Sequence, residues 1–92
     1  MKYELEKVRM NYEKDWVYTT IQESDNEDAL MEMAKKTKVR FGKTFEEKLN
    51  LNHIDEYGDI VHVDGLKYTV YDLKNKLKPY IVDNTREKME RK

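Results

Sequence analysis

Residues 58–73, GDIVHVDGLKYTVYDL, restrict the fold more than any other stretch of this chain. Apolar and polar side chains alternate through two β-forming runs, and Asp64-Gly65 separates them. An Asp-Gly pair between alternating runs is a hairpin signal, because both central residues of a type I′ turn need a positive φ. In that register Val63 faces Leu66 and Val61 faces Tyr68. Val61, Val63, Leu66, Tyr68 and Val70 then share one face, and Ile60, His62, Lys67 and Thr69 the other. An antiparallel sheet with one wet face follows.

The remaining segments extend that sheet. Residues 16–22, WVYTTIQ, are aromatic and β-branched almost throughout and predict a strand. Residues 2–12 fit helical spacing through Leu5, Val8 and Tyr12, and strand spacing through Val8, Met10 and Tyr12. The neighbouring strand decides for a hairpin, with a bulge between Leu5 and Val8 to absorb the change of phase. Residues 24–38, SDNEDALMEMAKKTK, predict the one helix. Ser24 and Glu27 make a capping box, acids open the helix and lysines close it. Ala29, Leu30, Met33 and Ala34 form its apolar stripe. Apolar residues then fall on odd numbers from Val39 to Leu51, which predicts a strand at KVRF and another over 48–54. Residues 42–47 stay open between loop and helix start. LKPYIV, residues 77–82, predicts a last strand at a sheet edge, since Pro79 cannot donate to a ladder.

The expected fold is therefore α+β: a single small domain over residues 1–83 with one main helix on an antiparallel sheet, and a charged tail over 84–92. Ninety-two residues support one modest core. Cysteine is absent, which removes disulfides, thiolate metal sites and cysteine nucleophiles. The amino terminus, MKYELEKVRM, lacks the apolar region of a secretory signal, and no apolar run approaches the ~20 residues that cross a bilayer. A cytoplasmic protein with no membrane partner is the expectation.

Charge is 40% of the residues but nets to only −1, against a strongly basic nucleic-acid binder. It is also segregated: residues 23–32 and 55–64 are acidic, residues 35–43 basic, and residues 67–92 carry eight basic side chains against four acidic. A bipolar surface of this kind can steer a charged partner.

For chemistry the sequence offers little. Ser24 is the single serine, and neither common phosphate-binding glycine pattern occurs. His53, Asp55, Glu56, His62 and Asp64 lie close in sequence, but their spacing matches no common zinc pattern. The reading is of no enzyme, no cofactor and no metal. Binding is better supported. Seven tyrosines exceed what so small a core can bury, and tyrosine is a favoured interface anchor. The expected partner-binding set is Ile60, His62, Lys67, Tyr71, Lys74, Lys76 and Tyr80, on the second face of the 58–73 hairpin and its neighbour. Another protein is the expected partner, and a homodimer through an edge strand or this face is the simplest case. The alternative is a single-stranded nucleic acid, with Tyr71 and Tyr80 stacking bases among the lysines.

Two resemblances add to this. GDIVHV followed by LKYTVYDL resembles the Gly-Asp approach to a strand in small SH3-like and OB-like barrels. In composition the chain is similar to small phage and mobile-element proteins, which often bind and redirect one host protein. That resemblance implies an inhibitor or adaptor.

Overall fold

The computed structural model describes residues 2–13, 15–74, 78–83 and 85. Its organising element is the long strand β4, Phe45–Ile54. One edge of β4 pairs along its full length with β1, Lys2–Asn11, and β1 in turn pairs with β2, Trp16–Ser24. The other edge is shared. Near its start β4 pairs with β3, Val39–Phe41, at Phe41–Glu46; near its end it pairs with β5, Ile60–Asp64. Beyond β3 come β6, Lys67–Asp72, and β7, Tyr80–Asp83. One helix, α1, Glu27–Lys36, contacts β1, β2, β4 and β6. Among the described residues the fold is mainly β with one helix, and the α+β expectation holds at that level. The sheet is not purely antiparallel, because β3 and β6 run parallel.

The amino-terminal hairpin forms as the sequence predicts. A register shift between Leu5 and Glu6 leaves Ile21 as the extra residue on β2, within the segment where a bulge was expected. Against β4 the β1 ladder is unbroken: Leu5 lies opposite Leu51, and Val8 opposite Lys48. Leu5 therefore enters the core while Val8 is buried outside the main apolar cluster, across from Tyr18. Helix α1 starts two residues later than a Ser24 cap would place it. Asn26 is the N-cap, accepting from the Ala29 amide at 3.1 Å, and Ser24 Oγ accepts from Asn26 N. Leu30 and Ala34 are fully buried and Met31 and Met33 pack against the core, but Ala29 is exposed. The core is completed by Val39, Leu49, Leu51, Leu66, Tyr68 and Val70.

The hairpin over residues 58–73 does not exist. Strand β5 pairs with β4, not with β6. Both β5 and β6 run antiparallel to β4: β5 directly, and β6 because it lies parallel to β3. Asp64-Gly65-Leu66 is thus a sideways step in one continuing direction. The hairpin turn lies earlier, at Asp55–Asp59. Asp55 Oδ1 accepts from the amides of Tyr57 and Asp59, the Asp55 amide donates to the Asp59 carbonyl, and Gly58 has φ +86°. The glycine-dependent turn chemistry is real but belongs to DEYGD. With this register His62 stands opposite His53 and Asp64 opposite the buried Leu51. Val63 stands opposite Asn52 on the other face, and the predicted inward pair Val61 and Val63 is exposed. Leu66, Tyr68 and Val70 are buried as expected.

Of residues 42–47, open in the sequence between loop and helix start, 42–44 form a tight β3–β4 connection and 45–47 already belong to β4, with the Gly42 amide donating to the Phe45 carbonyl. A Cβ at position 42 would stand 2.6 Å from the Phe45 ring, so any other residue there must displace that ring. Strand β7 occupies the predicted edge and begins just after Pro79. Apart from Thr85, the predicted tail over 84–92 lies outside the described residues.

Strands β1, β3 and β4 are joined at Glu47, whose side chain is 2% exposed. Its carboxylate accepts from the Arg40 amide at 3.0 Å and from Arg40 Nε and Nη2 at 3.3 and 3.2 Å, and pairs with Arg9 Nη1 at 3.7 Å. Arg9 lies 4.0 Å over the Phe45 ring. Burial pushes the Glu47 carboxyl up, but the Arg40 hydrogen bonds and the Lys7 and Arg40 charges outweigh it and hold the group below its ordinary value. Its stabilisation is therefore full above the unfolded carboxylate value and is lost as pH falls through the lower folded value. Replacing Glu47 with Ala should cost about 2 kcal/mol or more in urea unfolding at pH 7, with both arginines left half-exposed and able to resolvate. The deficit should shrink toward low pH. Val61→Thr and Val63→Thr should each change stability by less than about 0.5 kcal/mol, while Val70→Thr should cost about 1–3 kcal/mol. Equal costs at Val61 and Val70 would restore the hairpin register.

Candidate functional site

The residues expected to bind a partner are scattered by the absence of the hairpin. Ile60 and His62 are exposed on β5 beside β4. Lys67 and Tyr71 point outward from β6, while the intervening Tyr68 and Val70 are buried. Tyr80 lies opposite Val70 on β7, so it stands on the side away from Tyr71. With Phe41, Tyr68, Val70 and Val82 it lines an open groove of about 340 Å³ beside Glu46, Glu47 and Lys48. Lys38 Nζ sits 5.5 Å over the Tyr71 ring, and Lys74 is an exposed turn residue whose amide donates to Asp72. Lys76 lies outside the described residues. Tyr71 and Tyr80 therefore do not make one two-ring platform for bases.

Two other arrangements are built instead. The first is the outer strand β2. From Trp16 to Gln22 it carries no charge, in a chain that is 40% charged. Trp16, Val17 and Tyr18 are each about half exposed, Thr19 and Thr20 are exposed, and only Ile21 turns toward the core. The Trp16 and Tyr18 rings stack, 6.4 Å apart with 14° between planes. They lie across the ladder from Met10 and Val8. Next to them on the same sheet is a polar network: Glu4 accepts from Thr20 and from Asn52, and Asn52 also donates to Glu6 at 3.0 Å. Composition pointed at β2 only as a strand. The signal that distinguishes it is the charge-free run at what is, among the described residues, a sheet edge.

The second arrangement joins α1, β4 and β5. His53 Nε2 lies 2.8 Å from Asp64 Oδ2 and 3.5 Å from Glu27 Oε2. His62 Nε2 lies 3.1 Å from the second Asp64 oxygen, and the two imidazoles meet edge to face at 4.9 Å. Tyr3 packs its ring edge to face on His53 at 4.8 Å. The register His53–His62 and Leu51–Asp64 brings these groups to the helix side of the sheet. Asn26, by taking the cap, leaves Glu27 in the first turn free to reach them. A hydrogen bond to Asp64, then burial and the Asp64 charge, push the Glu27 carboxyl above its ordinary value, with His53 pulling the other way. The sequence grouped His53, His62 and Asp64 by proximity, but Asp55 is spent on the turn, and Glu27 comes from a distant segment assigned to capping.

Compared with protein-family models, with curated proteins and with solved structures, the chain matches none.

An acid whose folded value is raised costs stability when ionised at neutral pH, and that cost vanishes where it is protonated in both states. Glu27→Gln keeps a donor toward Asp64 without the charge. In chelator-treated protein at pH 7 its urea midpoint should equal or exceed the parent's, and the difference should shrink as pH falls through and below the ordinary carboxylate value. A clear loss at pH 7 would show that the ionised carboxylate is the favoured form.

Proposed function

We propose that the protein is a non-enzymatic protein-interaction module, an inhibitor or adaptor, that takes its partner along the outer edge of β2. The observation that supports this is the uncharged, exposed run from Trp16 to Gln22 on a terminal strand. Soluble proteins blunt such edges with charges, prolines or bulges, because an open edge is a template for another strand. Here the blunting is missing over the outer half of the strand, and the Ile21 bulge comes only near its end. An extended segment of a partner can add its backbone to β2 and set alternate side chains against Trp16 and Tyr18. Tyrosine and tryptophan supply large rigid area at low entropic cost, which suits them as anchors. A second copy of the chain, pairing β2 with β2, is the simplest partner of this kind.

The double variant Val17→Lys, Tyr18→Lys places charge on both faces of the edge without touching the core. It should keep the parent's unfolding free energy within about 1 kcal/mol and lose at least about tenfold in partner affinity or self-association. Sedimentation velocity reports the self-associated case, and capture from the native cell compared between parent and variant reports the other. Undiminished association in the variant would remove β2 from the interface. Tyr71→Ala with Tyr80→Ala tests the surface expected from sequence, and a larger loss there would return the interface to β6 and β7. A labelled oligonucleotide that shifts at low salt and is released steeply by added salt would favour the nucleic-acid reading instead.

A further inference from the structure

We propose that Glu27, His53 and Asp64 form a binding site for a borderline divalent transition-metal ion of the zinc class. The three residues come from three elements, α1, β4 and β5, and each offers one ligand atom, all within 4.8 Å of one another. Nε2 of His53 is 2.8 Å from Asp64 Oδ2 and 3.5 Å from Glu27 Oε2. A tetrahedral ion bonded at about 2.0–2.1 Å separates its ligands by roughly 3.3 Å, so the observed distances bracket the required one.

The donor types narrow the ion. Imidazole with carboxylates suits zinc and its neighbours, whereas calcium and magnesium take oxygen-only sets. The surroundings fix the ligands in place. His62 holds the second oxygen of Asp64 at 3.1 Å, and the Tyr3 ring packs against the His53 ring at 4.8 Å, nearly perpendicular to it. A hydrogen-bonded partner such as His62 orients a metal ligand and is worth about 10–100-fold in affinity. The site is also sheltered: the side chains of Asp64 and His53 are 8% and 17% exposed, and Glu27 supplies the side open to solvent at 33%. Three protein ligands leave a fourth position for water or for a donor from another molecule. A bound ion would tie the start of α1 to the ends of β4 and β5. This site is independent of the β2 edge.

The test uses the full chain, freed of metal by a chelator and then titrated with Zn²⁺ or, as a spectroscopic stand-in, Co²⁺. One ion per chain is expected, with visible Co²⁺ absorption of a four-coordinate site and a Zn²⁺-induced rise in Tm of about 5 °C or more. His53→Gln should weaken binding by about 100-fold and abolish the Tm rise. Glu27→Gln changes the most exposed ligand, keeps the fold, and should weaken Zn²⁺ by about tenfold or more. The proposal is overturned by the absence of stoichiometric Co²⁺ absorption in the parent, or by Glu27→Gln and His53→Gln binding Zn²⁺ as the parent does. An equal rise in Tm with Mg²⁺ or Ca²⁺ would overturn the assigned class of ion.

Discussion

The fork at Glu47 decides the shape of this sheet. An antiparallel partner of β4 would continue the ladder past Phe41–Glu46, but the next rung is not made by backbone. The Glu47 carboxylate takes the Arg40 amide instead, and the Arg40 guanidinium closes over it. Strand β3 is thereby let go after one pair. It turns its other edge to β6, and the space it leaves along β4 is filled from the opposite end by β5. A buried acid would ordinarily be a poor choice for this place. It is tolerated because every contact it makes is charge-assisted and because Arg9 adds a second cation from β1. One side chain thus coordinates β1, β3 and β4 at the point where the sheet divides.

Local patterns in the sequence were read correctly where the structure uses them locally. The β1–β2 hairpin, the bulge, the main helix, the strand at KVRF and the last strand at a sheet edge near Pro79 all follow from residues within a few positions of one another. The failure at 58–73 has a physical cause. Asp64-Gly65 has the composition of a turn, but Asp64 is spent on two histidines, one of which comes from β4. No local rule contains that partner. The alternation itself was sound, and only the sign was wrong for half of it. In β5 the outward positions are the valines, because His62 and Asp64 face the helix side, and after the step at Gly65 the apolar residues return to the inside.

The same distinction separates what was legible of the candidate sites. His53, His62 and Asp64 could be grouped from proximity in sequence, but Glu27 could not, since α1 reaches them only through the fold. The aromatic run of β2 was plain as a strand. Its status as an edge depends on β1 preferring β4 as its second neighbour, which is a property of residues more than thirty positions away.

That pairing of β1 with β4 also has a consequence in time. On the ribosome the first hairpin is complete once residue 24 has emerged, yet the strand that covers the second edge of β1 ends at Ile54. A hairpin formed before then would be a two-stranded ribbon whose β1 margin still lacks β4 and whose other margin is WVYTTIQ. Two-stranded ribbons are marginal on their own. On the β1 margin, Glu4, Glu6, Lys7 and Arg9 make the waiting edge charged and soluble, and they stay until Asn52 and Glu47 arrive to engage them. The polar residues that look misplaced within the finished sheet would keep the margin of an unfinished one hydrated until its central strand is available.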